Sequence, residues 1–199
     1  MTMEFLSLSM ALAFERDNDS WRKALEDALE TAHLEGNQLK EAQILIDLGY
    51  AHDEHFEAGT AVDFLEQGLK YLKERKRYAE CLPVLFRMSR IYRTQGKHDR
   101  AFAVASNAAE FAEHLHDSNA KGLALAAKGE MLIEQASYEN GLEWMFRAVE
   151  TLADARSRDM PGVIECLRAS RKKVPPGIFG MAVSRSKVSP RIKELLKSL

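Results

Sequence analysis

Apolar and small residues along the chain recur with a period of forty residues. One phase of this period is marked by Trp21, Ala61, Ala101 and Gly141, and twelve residues before it stand Ser9, Gly49, Ser89 and Gly129. Within each period, two stretches carry apolar residues at helical spacing, and a short polar stretch separates them. Each unit therefore predicts two helices, with small residues where neighbouring helices cross closely. Tandem units of this length are typical of a solenoid, in which neighbouring units bury each other's apolar faces.

The pattern predicts four helix pairs followed by a shorter C-terminal region. We expect repeats at about residues 2–41, 42–81, 82–121 and 122–161, a capping helix at 160–173, a solenoid over 1–173 and a basic tail at 174–199. Residues 178–188 are expected to be irregular. Ser189 and Pro190 then begin a short helix whose apolar side carries Ile192, Leu195, Leu196 and Leu199. A helix of about nine residues is marginal alone, so we expect it to dock on an apolar surface.

The third unit contains the most specific motif of the chain. Met88 and Ser89 are followed by Tyr92, and Ala101 then begins the second helix of the unit. This order resembles that of a tetratricopeptide repeat (TPR). Leucine replaces the tryptophan of that pattern and the helix-ending proline is absent, which fits a forty-residue variety of the repeat. The resemblance implies an all-α fold, a TPR-like right-handed α-α superhelix of four helix pairs plus a C-terminal capping helix. It also implies that the first helices line a concave groove for a protein or peptide, without catalysis.

The phase of the first helices predicts which side chains line this groove. The set comprises Ile46, Asp47, Tyr50 and Asp53 of the second repeat, Phe86, Arg87, Arg90 and Arg93 of the third, and Glu130 and Glu134 of the fourth. Arginines beside aromatic residues predict binding of a carboxylate or phosphate together with an apolar side chain. Alternatively, Arg87 and Arg90 pair with acidic groove residues of neighbouring helices, in exposed pairs worth about 0–1 kcal/mol. The two hypotheses are compatible, because a ligand can displace a weak pair.

The first helix of the first repeat presents an apolar stripe, which consists of Met3, Leu6, Met10 and Phe14. Methionine-rich faces adapt to varied shapes. The stripe therefore predicts either packing against a flexible end or a crystal neighbour, or contact with a partner or a second copy of the chain. A homo-oligomer is thus one hypothesis for the assembled state.

The formal net charge of -2 is unevenly distributed. Residues 168–199 carry nine Lys or Arg and one Glu, a net +8, which leaves -10 for the remaining residues. A basic tail beside an acidic body predicts that the tail meets an acidic surface of this chain or of a partner. Because Phe179 is its one aromatic residue, stacking on bases has little support and nucleic acid is a disfavoured partner.

The remaining chemistry of the chain is sparse. No phosphate-loop, dinucleotide-binding, zinc-protease or nucleophile-elbow motif occurs, so we expect neither enzymatic activity nor a cofactor. His52 and His55 have the spacing of metal ligands but no evident third ligand, and a solvated helix end is expected there. Cys81 and Cys166 form no CxxC pair, which fits a reducing, cytoplasmic compartment. No apolar run approaches the roughly 18 residues of a membrane span.

These patterns favour a non-enzymatic TPR adaptor or scaffold that binds a protein or peptide partner. One alternative is a regulatory sensor, whose groove binds a short peptide and changes the pitch of the superhelix. Another is a structural protein that self-assembles through the apolar stripe.

Overall fold

The computed structural model describes residues 20–199, and within that range all regular secondary structure is α-helical. In chain order the helices are α1 Ser20–Leu34, α2 Gln38–Glu54, α3 Ala58–Glu74, α4 Tyr78–Thr94, α5 His98–His114, α6 Ser118–Glu134, α7 Tyr138–Asp154, α8 Met160–Arg171, α9 Ile178–Arg185 and α10 Pro190–Lys197. The helices α2 to α7 contain 17 residues each. Each begins twenty residues after the one before it. The forty-residue unit is therefore two helices of equal length, each about 26 Å long.

The turns between these helices repeat one backbone conformation. Each turn contains one residue with a left-handed φ, and these residues are Gly36, Phe56, Lys76, Gly96, His116, Ala136 and Arg156. After α2, the Phe56 N–H donates to the Asp53 carbonyl at 3.1 Å, and the Glu57 N–H donates to the His52 carbonyl at 2.9 Å. This pair of bonds is the Schellman motif, and both bonds recur in all seven turns. Five of the seven turns therefore hold a residue with a side chain in a conformation that favours glycine.

The chain divides into two compact units, Met1–Glu80 and Cys81–Leu199. In the described part of the first unit, α1 packs on α2 and α2 packs on α3. Their core contains the buried side chains of Trp21, Leu25, Ile44 and Leu48. The boundary expected near residue 173, between solenoid and tail, stays a prediction.

Glycine permits close crossing of helices in both units. On α6, a Cβ at Gly129 would lie 2.7 Å from the carbonyl oxygen of Gly141 on α7. On α2, a Cβ at Gly49 would lie 3.0 Å from the carbonyl oxygen of Ala61 on α3. Gly49 and Gly129 thus lie where two backbones approach each other, as the sequence period predicts.

The second unit ends in three shorter helices, of which α8 packs on α6 and α7, while α9 and α10 pack on α7. Helix α9 occupies residues that were expected to be irregular, so that prediction is wrong. Its Phe179 is buried, and the ring lies edge-on to the ring of Phe146 on α7 with centroids 5.6 Å apart. This tertiary burial outweighs the weak helical signal of an eight-residue segment that contains Gly180.

Helix α10 docks as predicted. Ile192 and Leu196 join the buried apolar cluster of α7, and Leu195 and Leu199 pack against it. A carboxylate oxygen of Glu150 also accepts a hydrogen bond from the backbone N–H of Ser189, at 2.7 Å. Two basic side chains of the C-terminal region meet acidic helices, since Lys173 lies 3.4 Å from Glu134 and Arg185 lies 3.7 Å from Glu139.

Candidate functional site

A cleft in the second unit brings three of the predicted groove residues together. They are Arg93 of α4 and Glu130 and Glu134 of α6. The other described residues of its lining are Thr94, Cys166, Ala169, Ser170 and Lys173. The cleft has a volume of about 350 Å³. It is lined by the first helices of two successive repeats and by the C-terminal part of α8, together with Lys173, which follows α8.

Charged side chains in this cleft are already paired with one another. Arg93 forms an ion pair with Glu130, and the Lys173 ammonium lies 3.4 Å from the carboxylate of Glu134. The four side chains keep between 21% and 57% of their surface exposed. Solvent therefore screens both pairs, each of which is worth about 0–1 kcal/mol, and a ligand with matching charges can exchange with them.

The thiol of Cys166 lies beside these charges. Partial burial raises the pKa of Cys166, and the neighbouring carboxylate of Glu130 raises the pKa further. A nucleophilic cysteine needs a lowered pKa, because the thiolate is the reactive form. The cleft therefore keeps this thiol protonated at neutral pH.

Three further groove candidates lie on α4. Phe86 and Arg87 are half-buried, and Arg90 is exposed. None of these three belongs to the described lining of the cleft. Their contact with a partner stays a prediction.

The groove candidates of the first unit lie on α2, where Ile46 corrects the sequence-based prediction. Ile46 is 3% exposed. A Cβ at Gly68 of α3 would lie 2.6 Å from its Cγ1 atom. The side chain of Ile46 is thus part of the packing between α2 and α3 and does not line a groove.

The other candidates on α2 are Asp47, Tyr50 and Asp53, and all three are half-buried. Burial raises the pKa of Asp47 to about 6, although a hydrogen bond from the amide of Gln43, at 3.4 Å, acts in the opposite direction. Asp47 is therefore a carboxyl group that exchanges its proton near neutral pH.

His52 lies in a buried cluster and not at the solvated helix end that the sequence predicts. Its ring stacks on Phe64 and meets the edge of Trp21, with centroids 5.2 Å apart in both cases. Its Nδ1 atom lies 2.5 Å from a carboxylate oxygen of Glu57, which also pairs with Arg22. The hydrogen bond with His52, followed by that from Arg22, lowers the pKa of Glu57. Glu57 lies in a turn outside the apolar period, so the period gives no signal for this cluster.

Metal binding receives no support from the arrangement of the described residues. Within residues 20–199, no group of three or more His, Cys, Asp or Glu side chains is placed to hold a metal ion.

Lys128 of α6 is a second side chain that the groove pattern does not include. It is 9% exposed. Its ammonium lies 3.9 Å from the ring centre of Trp144 on α7 and 4.9 Å from that of Phe102 on α5. The sequence does carry a signal here, because the equivalent positions of the other repeats are the apolar Leu8, Leu48 and Met88.

The predicted apolar stripe of Met3, Leu6, Met10 and Phe14 lies outside the described residues. Among the helices that are described, none combines the length and the hydropathy needed to cross a lipid bilayer.

Comparison with known proteins identifies the fold. No protein-family model matches the chain, and no curated protein matches it. Among solved structures, the chain is similar to the crystal structure of the apo form of RapI, with a TM-score of 0.75 and 12% sequence identity, over 96% of this chain and 68% of the RapI chain. RapI is a TPR-like helical repeat protein. At this identity the likeness shows the fold alone, and the fold is the predicted all-α class of TPR-like α-α superhelices.

Proposed function

We propose that the chain is a non-enzymatic member of the TPR family, an adaptor that binds a protein or peptide segment in the cleft of the second unit. The supporting observation is the cleft of about 350 Å³ lined by α4, α6 and α8. A segment with one acidic and one basic side chain can replace the pairs of Arg93 with Glu130 and of Lys173 with Glu134. The exchange substitutes charge-assisted bonds of the same kind and adds buried contact surface.

The chemistry of the cleft favours binding over catalysis. The raised pKa of Cys166 is opposite to the shift that activates a nucleophile. Neither Cys81 nor Cys166 forms a disulfide within the described residues, which supports a reducing, cytoplasmic compartment. The proposed binding function requires no cofactor.

A charge-reversal variant tests whether the cleft selects the partner. In Glu130→Arg, the new cation faces Arg93, so a segment that uses this pair loses its site. The matched control is Glu143→Arg, which makes the same change at an exposed position of α7. Circular dichroism confirms that the wild type and both variants are folded. Each protein then captures partners from the native lysate, and mass spectrometry identifies them.

We expect a partner that the full-length wild type and Glu143→Arg retain and that Glu130→Arg loses. Recovery of the chain itself as the retained partner points to self-association. Identical captures by all three proteins contradict a partner site in this cleft.

A further inference from the structure

Two cations of the second unit share one aromatic ring. The ammonium of Lys128 lies 3.9 Å from the ring centre of Trp144, and the guanidinium of Arg147 lies 4.6 Å from the same centre. Phe102 flanks Lys128 from α5, at 4.9 Å. The rings attract both cations electrostatically but do not neutralise them.

No carboxylate of the described residues lies within 4.0 Å of either cation. Other cations of the second unit do have such a partner, since Arg93 pairs with Glu130 and Lys121 lies 3.2 Å from Glu113. Lys128 and Arg147 therefore form a local excess of positive charge in a chain whose formal net charge is -2.

The first unit differs from the second in both its cations and its carboxylate. There, Glu57 in the turn after α2 pairs with Arg22 and accepts from His52. The position eighty residues later, in the turn after α6, is Ser137. The first unit has the uncharged Leu48 and Gln67 at the positions equivalent to Lys128 and Arg147, so the second unit gains two cations and lacks the acidic side chain of Glu57.

The surroundings of Lys128 disfavour the charged form of its amine. Burial lowers the pKa of Lys128, and the charge of Arg147 lowers it further. A bound anion acts against both effects, because a nearby negative charge favours the charged form of the amine.

We propose that Lys128, Arg147 and the ring of Trp144 form a binding site for an oxyanion between α5 and α7. The ammonium supplies a point charge at the end of a largely buried side chain, and the guanidinium supplies the fork that binds carboxylate or phosphate through two hydrogen bonds. The oxyanion belongs either to a free small molecule or to an acidic segment of a partner protein. This site is independent of the proposed function, because Lys128 and Glu130 lie on nearly opposite sides of α6, about 160° apart.

The two tryptophans of the chain give the test a local reporter and an internal control. In nitrogen-15 spectra of the full chain, the indole N–H signal of Trp144 is followed while Trp21, in the other unit, serves as reference. Inorganic phosphate and a short oligoglutamate peptide are titrated separately, at ionic strength held constant with chloride. A Trp144→Phe variant assigns the signal.

We expect a saturable shift of the Trp144 signal and no shift of the Trp21 signal. Lys128→Met places in α6 the residue found at the equivalent Met88, so it is expected to fold. It weakens the response at least about tenfold, and Arg147→Gln, which changes an exposed side chain, also weakens it.

A response to phosphate indicates a free oxyanion as the source, whereas a response to oligoglutamate alone indicates an acidic protein segment. The proposal is overturned if neither probe shifts Trp144 more than chloride does. It is also overturned if Lys128→Met and Arg147→Gln respond like the wild type.

Discussion

Helices α1–α3 and α5–α7 occupy equivalent positions eighty residues apart, yet they differ in whether their charged side chains have a partner of opposite charge. In α1–α3, Glu57 accepts hydrogen bonds from both Arg22 and His52. In α5–α7, Lys128 and Arg147 lie over the ring of Trp144 without a carboxylate of the described residues within ion-pair distance. The repeat therefore determines where backbones and side chains lie. Substitutions at equivalent positions decide whether a charge is neutralised within the chain or remains available to a ligand.

The largest difference in stability that we expect between the two regions arises from substitutions at the helix crossings. Gly129→Ala places a Cβ 2.7 Å from the carbonyl oxygen of Gly141, a backbone atom that cannot move aside. We expect a loss of about 2–3 kcal/mol in the free energy of unfolding, measured in urea. Gly49→Ala meets the flexible side chain of Leu65 and a carbonyl oxygen at 3.0 Å, so its loss is nearer about 1 kcal/mol.

Gly162→Ala is the control for these two variants, because no atom lies within 4 Å of the added Cβ. It is expected to leave stability unchanged or to raise it slightly. Equal losses for Gly129→Ala and Gly49→Ala contradict the closer crossing of α6 and α7.

The next difference concerns Asp47, whose equivalent in α6 is the uncharged Ala127. Because burial raises the pKa of Asp47 from 3.8 to about 6, the folded state favours the protonated form. The resulting destabilisation is absent below the unfolded pKa, grows as the pH rises from about 4 to 6, and is complete above that range. Asp47→Asn should therefore raise the free energy of unfolding near pH 7.5 by about 1–2 kcal/mol, after allowance for solvent screening, and have no effect near pH 3.5.

Asp63→Asn, at an exposed position of α3, measures the background effect of removing one negative charge. A pH-independent difference between Asp47→Asn and the wild type refutes the assigned role of the carboxyl group.

The turns after α2 and α6 differ in side chain but share a left-handed φ, 62° at Phe56 and 60° at Ala136. Glycine adopts this conformation without steric strain. Phe56→Gly and Ala136→Gly should each raise the free energy of unfolding by about 1 kcal/mol, because Phe56 is 95% exposed and loses no packing. Gly96→Ala, at φ 70° in the turn after α4, should lower the free energy of unfolding by a similar amount. Thermal melts of the three variants check these signs, and destabilisation by either glycine would rule out strain in the turns.

The smallest change in stability is expected for substitution of Glu57. Its folded-state pKa is lowered by His52 and Arg22, so its contribution to stability is present above the ordinary pKa of 4.5 and is lost as the pH falls through the folded value. Glu57→Gln should lower the melting temperature near neutral pH, and the two proteins should converge in acid. The equivalent Ser137→Ala has no such partners to lose and serves as control. A constant difference across the pH series contradicts the proposed network.

The sequence predicts the architecture well because the period of small and apolar residues reports directly on helix crossings. Gly129 and Gly141 recur in phase, and each lies where α6 meets α7. The turn conformation is harder to predict from the sequence, because Phe56 adopts the same left-handed conformation as Gly96 although it is not a glycine. Helix α9 forms through burial of Phe179 against Phe146, a contact that no local pattern contains.

The candidate site is predictable only in part. The phase of the first helices assigns Arg93 and Glu130 to one surface, and the two side chains pair in the structure. It also assigns Ile46 to the groove, because it does not show how closely α2 and α3 approach at Gly68. Lys173 follows α8, outside the repeat period, so the period gives no indication that it lines the cleft.

Partner binding in the cleft is tested most directly by exchanging the charges of one ion pair. The double variant of Arg93→Glu with Glu130→Arg keeps an ion pair within the chain but reverses the charges offered to a ligand. Calorimetric titration with the captured partner, together with a thermal melt, separates the two consequences. We predict a melting temperature close to that of the wild type and an affinity weaker by at least about tenfold. A double variant that binds the partner as tightly as the wild type would show that the pair of Arg93 and Glu130 only stabilises the fold.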